Sequence, residues 1–254
     1  MSDTNHIIYT TISFLLTVVL LWLFRKKVNN RSSKDLILKV SAILTVILHY
    51  SILYVDYFTY GEASIESTMI LPVYPCNIAM WLLLITAFMK NKDGKVFNHI
   101  ALVTFYLGLI GGTVGLVLNE NYMSNPTFTD WFVVKGLLSH STLIFGSIYI
   151  LVGKYIKIRV SNIFSVIGGL LFLILDGVFV ISLHKIFKLD CPNCMFLLEN
   201  PFPQLPWFNS WVLGIAVVIV LFIVTVLIEQ LTLEKEERWY NTLNKNLARK
   251  ECNN

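Results

Sequence analysis

Charge is what this chain has least of. Only 14% of its 254 residues are Asp, Glu, Lys or Arg, against 56% hydrophobic ones, whereas a soluble domain carries about 25% charged residues. That deficit excludes an ordinary water-soluble globule. No basic residue precedes the first apolar run, because Met1-Ser2-Asp3-Thr4-Asn5-His6 carries none; a cleavable secretory leader would carry positive charge there. Cysteine is scarce too, with four in the chain. A single C-x-x-C, Cys191 to Cys194, lacks the second pair or histidine cluster that a zinc site needs, so no metal and no cofactor is expected. Internal repeats and low-complexity linkers are also missing, which leaves no room for a separate soluble domain.

What is present is a series of apolar runs near 7–24, 36–56, 68–89, 97–118, 131–152, 161–183 and 209–231. A helix needs roughly 20 apolar residues to cross a bilayer. The expected fold is therefore all-α and integral to the membrane, a bundle of seven transmembrane helices over residues 1–232. A basic, interfacial tail follows over 233–254.

Lysine and arginine alternate between the connecting segments. Arg25, Lys26, Lys27, Arg31 and Lys34 follow the first run; Lys90, Lys92 and Lys95 follow the third; Lys154, Lys157 and Arg159 follow the fifth. Segments 57–67 and 119–130 have none, and 184–208 has only Lys185 and Lys188. The positive-inside rule then sets the N-terminus outside and the C-terminus in the cytoplasm. The net charge of +4 reflects loops beside anionic lipid, so lipids and no nucleic acid are the expected partners.

Function is sought where polar residues enter the apolar runs, since ionisable groups there are costly. Cys76 lies in Leu71-Pro72-Val73-Tyr74-Pro75-Cys76-Asn77. Proline suits the first position of a helix, so a helix restarting at Pro75 puts Cys76 in its first turn. There the positive dipole end favours a thiolate; the alternative is a small hydrophobe beside a proline kink. His140, in Lys135-Gly136-Leu137-Leu138-Ser139-His140-Ser141, falls at a matching depth, about nine residues or roughly 13 Å into its run. His49 and Asp176 fall near the same plane. Each has a plain reading beside the functional one: His49 as a packing histidine, Lys135 as a lysine reaching for the interface or for a lipid phosphate, Asp176 as a protonated acid or a histidine's partner. Loop 190–208, with four of the seven prolines and an apolar composition, reads as a cap over the outer mouth or an aromatic interfacial segment.

Three motifs carry a resemblance. Leu71-Pro72 through Cys76-Asn77-Ile78-Ala79, Leu138-Ser139-His140-Ser141, and Asn193-Cys194-Met195-Phe196-Leu197 resemble, in motif order and number of spans, the YwaF-like bacterial integral membrane proteins over about residues 40–230, with a longer approach to Asn193. That group is similar to a eukaryotic multispan acyltransferase that remodels ether phospholipids. More distantly it is similar to membrane hydrolases that cleave fatty-acid esters of hydroxy fatty acids. The resemblance implies a bacterial plasma membrane and catalysis by Cys76 and His140, with Tyr74 and Asn193 inside its motifs; supporting roles for Asn77, Ser139, Lys135, His49 and Asp176 are expected from their positions in the runs. The chain departs from the pattern at Tyr74, where a histidine is common, and at Cys194, where an aromatic is expected. The expectation is a Cys-His lipid acyltransferase or esterase acting on a phospholipid donor, with a lysolipid or water as acceptor. The alternative is a transporter of ions or small molecules using an intramembrane polar site.

Overall fold

The computed structural model describes residues 4–61, 71–118, 122, 127–189, 193–199, 207 and 210–243. Among them the chain forms seven α-helices and three short 3₁₀ turns. These helices are α1 (Thr4–Lys27), α2 (Arg31–Tyr60), α3 (Pro75–Phe88), α4 (Lys95–Val117), α5 (Trp131–Val152), α6 (Ile163–Phe187) and α7 (Ser210–Thr232). Local sequence explains most of the boundaries. Asn30 opens α2 by accepting from the Ser32 amide at 3.0 Å, and Asp130 opens α5 by accepting from Phe132 at 2.8 Å. Such caps satisfy donors that the helix leaves unpaired. Gly61 ends α2 in the left-handed region, φ +80°, which a glycine adopts without steric cost.

Among the described residues six helices are long and apolar enough to cross a membrane: α1, α2, α4, α5, α6 and α7. The run at 68–89 departs from its expected form. Its helix begins only at Pro75 and has 14 residues, roughly 21 Å, less than the roughly 30 Å of hydrocarbon. Proline at the first helical position explains the late start, since the extended Tyr74 before it cannot join the helix.

The core is α2, α3, α4 and α5, with α1 laid against α5 and α6 against α4. Three glycines of α4 lie hard against α5. A β-carbon at Gly108 would lie 1.8 Å from Ser147 Oγ, one at Gly112 2.7 Å from Ile144 Cγ1, and one at Gly115 2.2 Å from His140 Nε2. The contacts climb α4 while they descend α5, so the two helices are antiparallel. Without a hydrophobic driving force in lipid, small residues that let backbones approach are how such helices associate.

The two ends of the bundle differ in charge as the alternating segments require. At one end Asp35 gathers Lys92 at 3.0 Å and Arg31 at 3.8 Å, and accepts from the Tyr155 hydroxyl at 2.5 Å. Burial, together with this carboxylate, pushes the Tyr155 phenol up. Glu229, fully buried, ties the same end together, accepting from the Val160 and Trp239 amides. The chain after α7 turns back beneath the bundle here, with Glu237 facing Lys157 and Arg159, each at 3.4 Å. At the opposite end His6 of α1 reaches the Leu116 carbonyl of α4 at 2.9 Å.

Candidate functional site

Helix α3 starts inside the bundle. Its first turn meets α4 at Gly111, where a β-carbon would lie 3.2 Å from the Cys76 nitrogen and 3.3 Å from its Cα. Gly111 is six residues short of the last residue of α4, roughly 9 Å along the axis. Cys76 therefore occupies the second position of a helix whose N-terminal dipole opens within the bundle, toward the end where α4 finishes. Its sulfur donates to the Asn77 side-chain oxygen at 3.6 Å, and Asn77 is buried. The Asn77 amide is engaged by the Tyr74 carbonyl at 3.0 Å, so the first turn closes on itself and that N–H is not turned to the site.

His140 meets the same face of α4 one turn further out. Gly111 and Gly115 are i and i+4, hence neighbours on one helix surface, and the His140 ring lies directly over Gly115. Its Nδ1 sits 2.7 Å from the Gly136 carbonyl. A carbonyl can only accept, so Nδ1 carries the proton and Nε2 keeps its lone pair. The expected matching depth thus becomes an offset of one turn, roughly 6 Å, with glycine rather than side chain between the two levels. A backbone carbonyl orients the ring. Asp176 Oδ2, on α6, is buried with no hydrogen-bond partner among the described residues.

The other predicted residues sort by position. His49 of α2 is flanked by two links to α5, Thr45 to Thr142 at 3.0 Å and Trp131 to Ser51 at 2.9 Å. It lies within electrostatic reach of both His140 and Lys135, and its Nε2 is buried without a hydrogen-bond partner among the described residues. Lys135 turns back one turn toward the start of α5. It is 7% exposed, with its ammonium 4.7 Å from the centre of the Phe132 ring. Ser139 spends its hydroxyl on the Gly136 carbonyl at 3.0 Å, which therefore accepts from two side chains.

Tyr74 packs against the covering loop, and Asn193 belongs to it. The Met195 amide donates to Val73 at 2.9 Å, and the Tyr74 and Phe196 rings are 5.9 Å apart. Leu197 and Met195 pack on Gly177, so the loop is wedged between the lead into α3 and α6. Asn193 braces it, accepting from the Leu198 and Glu199 amides and donating to the Glu199 carbonyl at 3.0 to 3.1 Å. Of the predicted loop 190–208 the structure describes 193–199 and Trp207, and Cys194 there is fully buried. Cys191 and residues 200–206 lie outside the described residues.

Two features escaped the reading of the sequence. The glycines at 108, 111, 112 and 115 were legible as small-x-x-x-small spacing in an apolar helix. Glu229, an acid near the end of the last apolar run, was legible as an intramembrane carboxylate.

A family model described as the TMEM164 family matches residues 1–228, and the chain belongs to that family. No curated protein and no solved structure matches it.

Proposed function

We propose that this TMEM164-family multispan membrane protein is a lipid acyltransferase or lipid esterase working through Cys76 and His140. One observation carries the reading: a thiol in the first turn of α3 and an imidazole with a free Nε2 meet one glycine face of α4 a single turn apart. The dipole of α3 favours the thiolate. His140 Nε2 takes the thiol proton, directly after a rotation of the Cys76 side chain or through a bridging hydroxyl. The sulfur then bonds to the ester carbonyl carbon of a phospholipid, and the carbonyl π electrons move to oxygen. Collapse expels the glycerol oxygen, which takes the proton from His140 and leaves an acyl thioester on Cys76. A lysolipid hydroxyl or water next gives its proton to Nε2 and attacks the thioester, and the released thiolate is reprotonated. Lys135 supplies positive charge beside the site for a lipid phosphate, with His49 as a neutral neighbour.

Lipid profiles of membranes carrying wild type, Cys76→Ala and His140→Ala test this, together with a search for a hydroxylamine-sensitive acyl group on Cys76. Cys76→Ala is expected to remove both the adduct and the lipid change. His140→Ala should slow acylation about 10²- to 10⁴-fold, the usual worth of a general base. Identical profiles with no adduct would remove the enzyme reading and put transport ahead.

A further inference from the structure

The basic end of the bundle sorts its cations into two populations. Arg31 and Lys92 share Asp35, while Lys157 and Arg159 share Glu237. Arg25, Lys34 and Lys154 are different. Among the described residues none of these three has an ion-pair partner or a side-chain hydrogen bond. All three wall one pocket of about 130 Å³, bounded by the ends of α1 and α5 and the start of α2. None of its lining residues is acidic, and Phe24, Val152 and Tyr149 give it an apolar side. It is roomy enough to admit a phosphate group.

Backbone geometry at the third cation adds an independent observation. Lys154 has φ +64°, at the helix end where glycine or asparagine is the usual residue. A strained conformation of this kind points toward function when other features converge on it. Here the strained residue is also the one that lines both this pocket and the neighbouring groove of about 380 Å³ that Lys157 and Arg159 border.

We propose that Arg25, Lys34 and Lys154 bind the phosphate of an anionic phospholipid in the leaflet that this end of the bundle meets. The site is separate from Cys76 and His140, since Val152 is twelve residues beyond His140 on α5, roughly 18 Å. A lipid source is favoured over a free anion by location. The pocket lies at the ends of α1 and α5, and α1 exposes Val18, Val19 and Trp22 along its outer surface, so the mouth opens where lipid head groups lie. Three uncompensated cations match a phosphomonoester dianion better than a zwitterionic head group.

The test uses the full chain in phosphatidylcholine nanodiscs with and without phosphatidic acid, reading retained lipid by native mass spectrometry. Lys154→Gly, Lys34→Gln and Arg25→Gln should each lower phosphatidic acid retention about five-fold, the effect of one basic residue at a membrane surface. Lys90→Gln, an exposed cation that lines neither cavity, should leave it unchanged. Lys154→Gly removes the charge and the backbone strain together. Its Tm should therefore hold or rise while lipid is lost, which separates binding from folding. Equal retention in every variant, or equal loss in Lys90→Gln, would overturn the site. Inorganic phosphate binding the site as tightly as phosphatidic acid does would overturn the lipid assignment.

Discussion

Adding one methyl group at Gly115 tests the contact on which the candidate site depends. An alanine β-carbon there would lie 2.2, 2.3 and 2.8 Å from His140 Nε2, Cδ2 and Cε1, well inside van der Waals contact, so the ring must leave. Leaving forfeits the 2.7 Å bond to the Gly136 carbonyl, about 0.5–1.5 kcal/mol. Overpacking the α4–α5 seam adds about 1–3 kcal/mol. Helix propensity returns at most about 1 kcal/mol. The net expectation for Gly115→Ala is a loss of roughly 1–3 kcal/mol, read as a lower Tm in detergent, together with loss of acylation at Cys76. Gly111→Ala is the internal comparison. Its β-carbon would meet Cys76 at 3.2 to 3.5 Å, so a few tenths of an ångström of adjustment suffices and less than about 1 kcal/mol is lost. Gly168, with nothing within 4 Å, should tolerate alanine with no loss or a gain of up to about 1 kcal/mol. Combining Gly115→Ala with His140→Ala removes the obstructing ring, so stability should recover while acylation does not. A double variant no more stable than Gly115→Ala, or a Gly115→Ala protein as stable and active as wild type, would refute the placement of His140 against α4.

Glu229→Gln should lose about 1.5–3 kcal/mol, because both oxygens accept backbone N–H donors and an amide offers one acceptor and one conflicting donor; Tm measures it. Asn193→Ala removes three hydrogen bonds that brace the covering loop, so cleavage within 193–199 should speed up under limited proteolysis while global Tm changes little. The Tyr155 phenol, held above its ordinary value by burial and Asp35, keeps its proton in the folded chain after the unfolded chain has begun to release it near pH 10. Stability should thus be flat below about pH 10 and fall as pH rises above it. Tyr155→Phe should be less stable at neutral pH by about 0.5–1.5 kcal/mol, the hydrogen bond to Asp35, and should show a shallower alkaline decline.

The membrane class, the alternation of basic segments and the helix start at Pro75 were all readable from residue order. Each is a local matter: transfer free energy acts on runs of about twenty residues, and proline constrains its own φ and its predecessor wherever it stands. Depth along a helix was readable in the same way, which is why Cys76 and His140 could be singled out at all. Their one-turn offset was not, because rise per residue says nothing about how α3 and α5 slide against α4. That register is set by the glycines of α4, whose missing side chains admit the Cys76 backbone at one turn and the His140 ring at the next. Glycine spacing announces that something approaches closely; only the packed bundle says what. Lys135 makes the same point from the other side, since sequence does not say which ring a long flexible cation will lie over, and the fold sets it on Phe132. At the basic end, composition counted the positive charges, but the assembled helices decided which of them meet Asp35 and Glu237. Arg25, Lys34 and Lys154 were left facing one another because ion pairing depends on distances that exist only after the helix ends have been brought together.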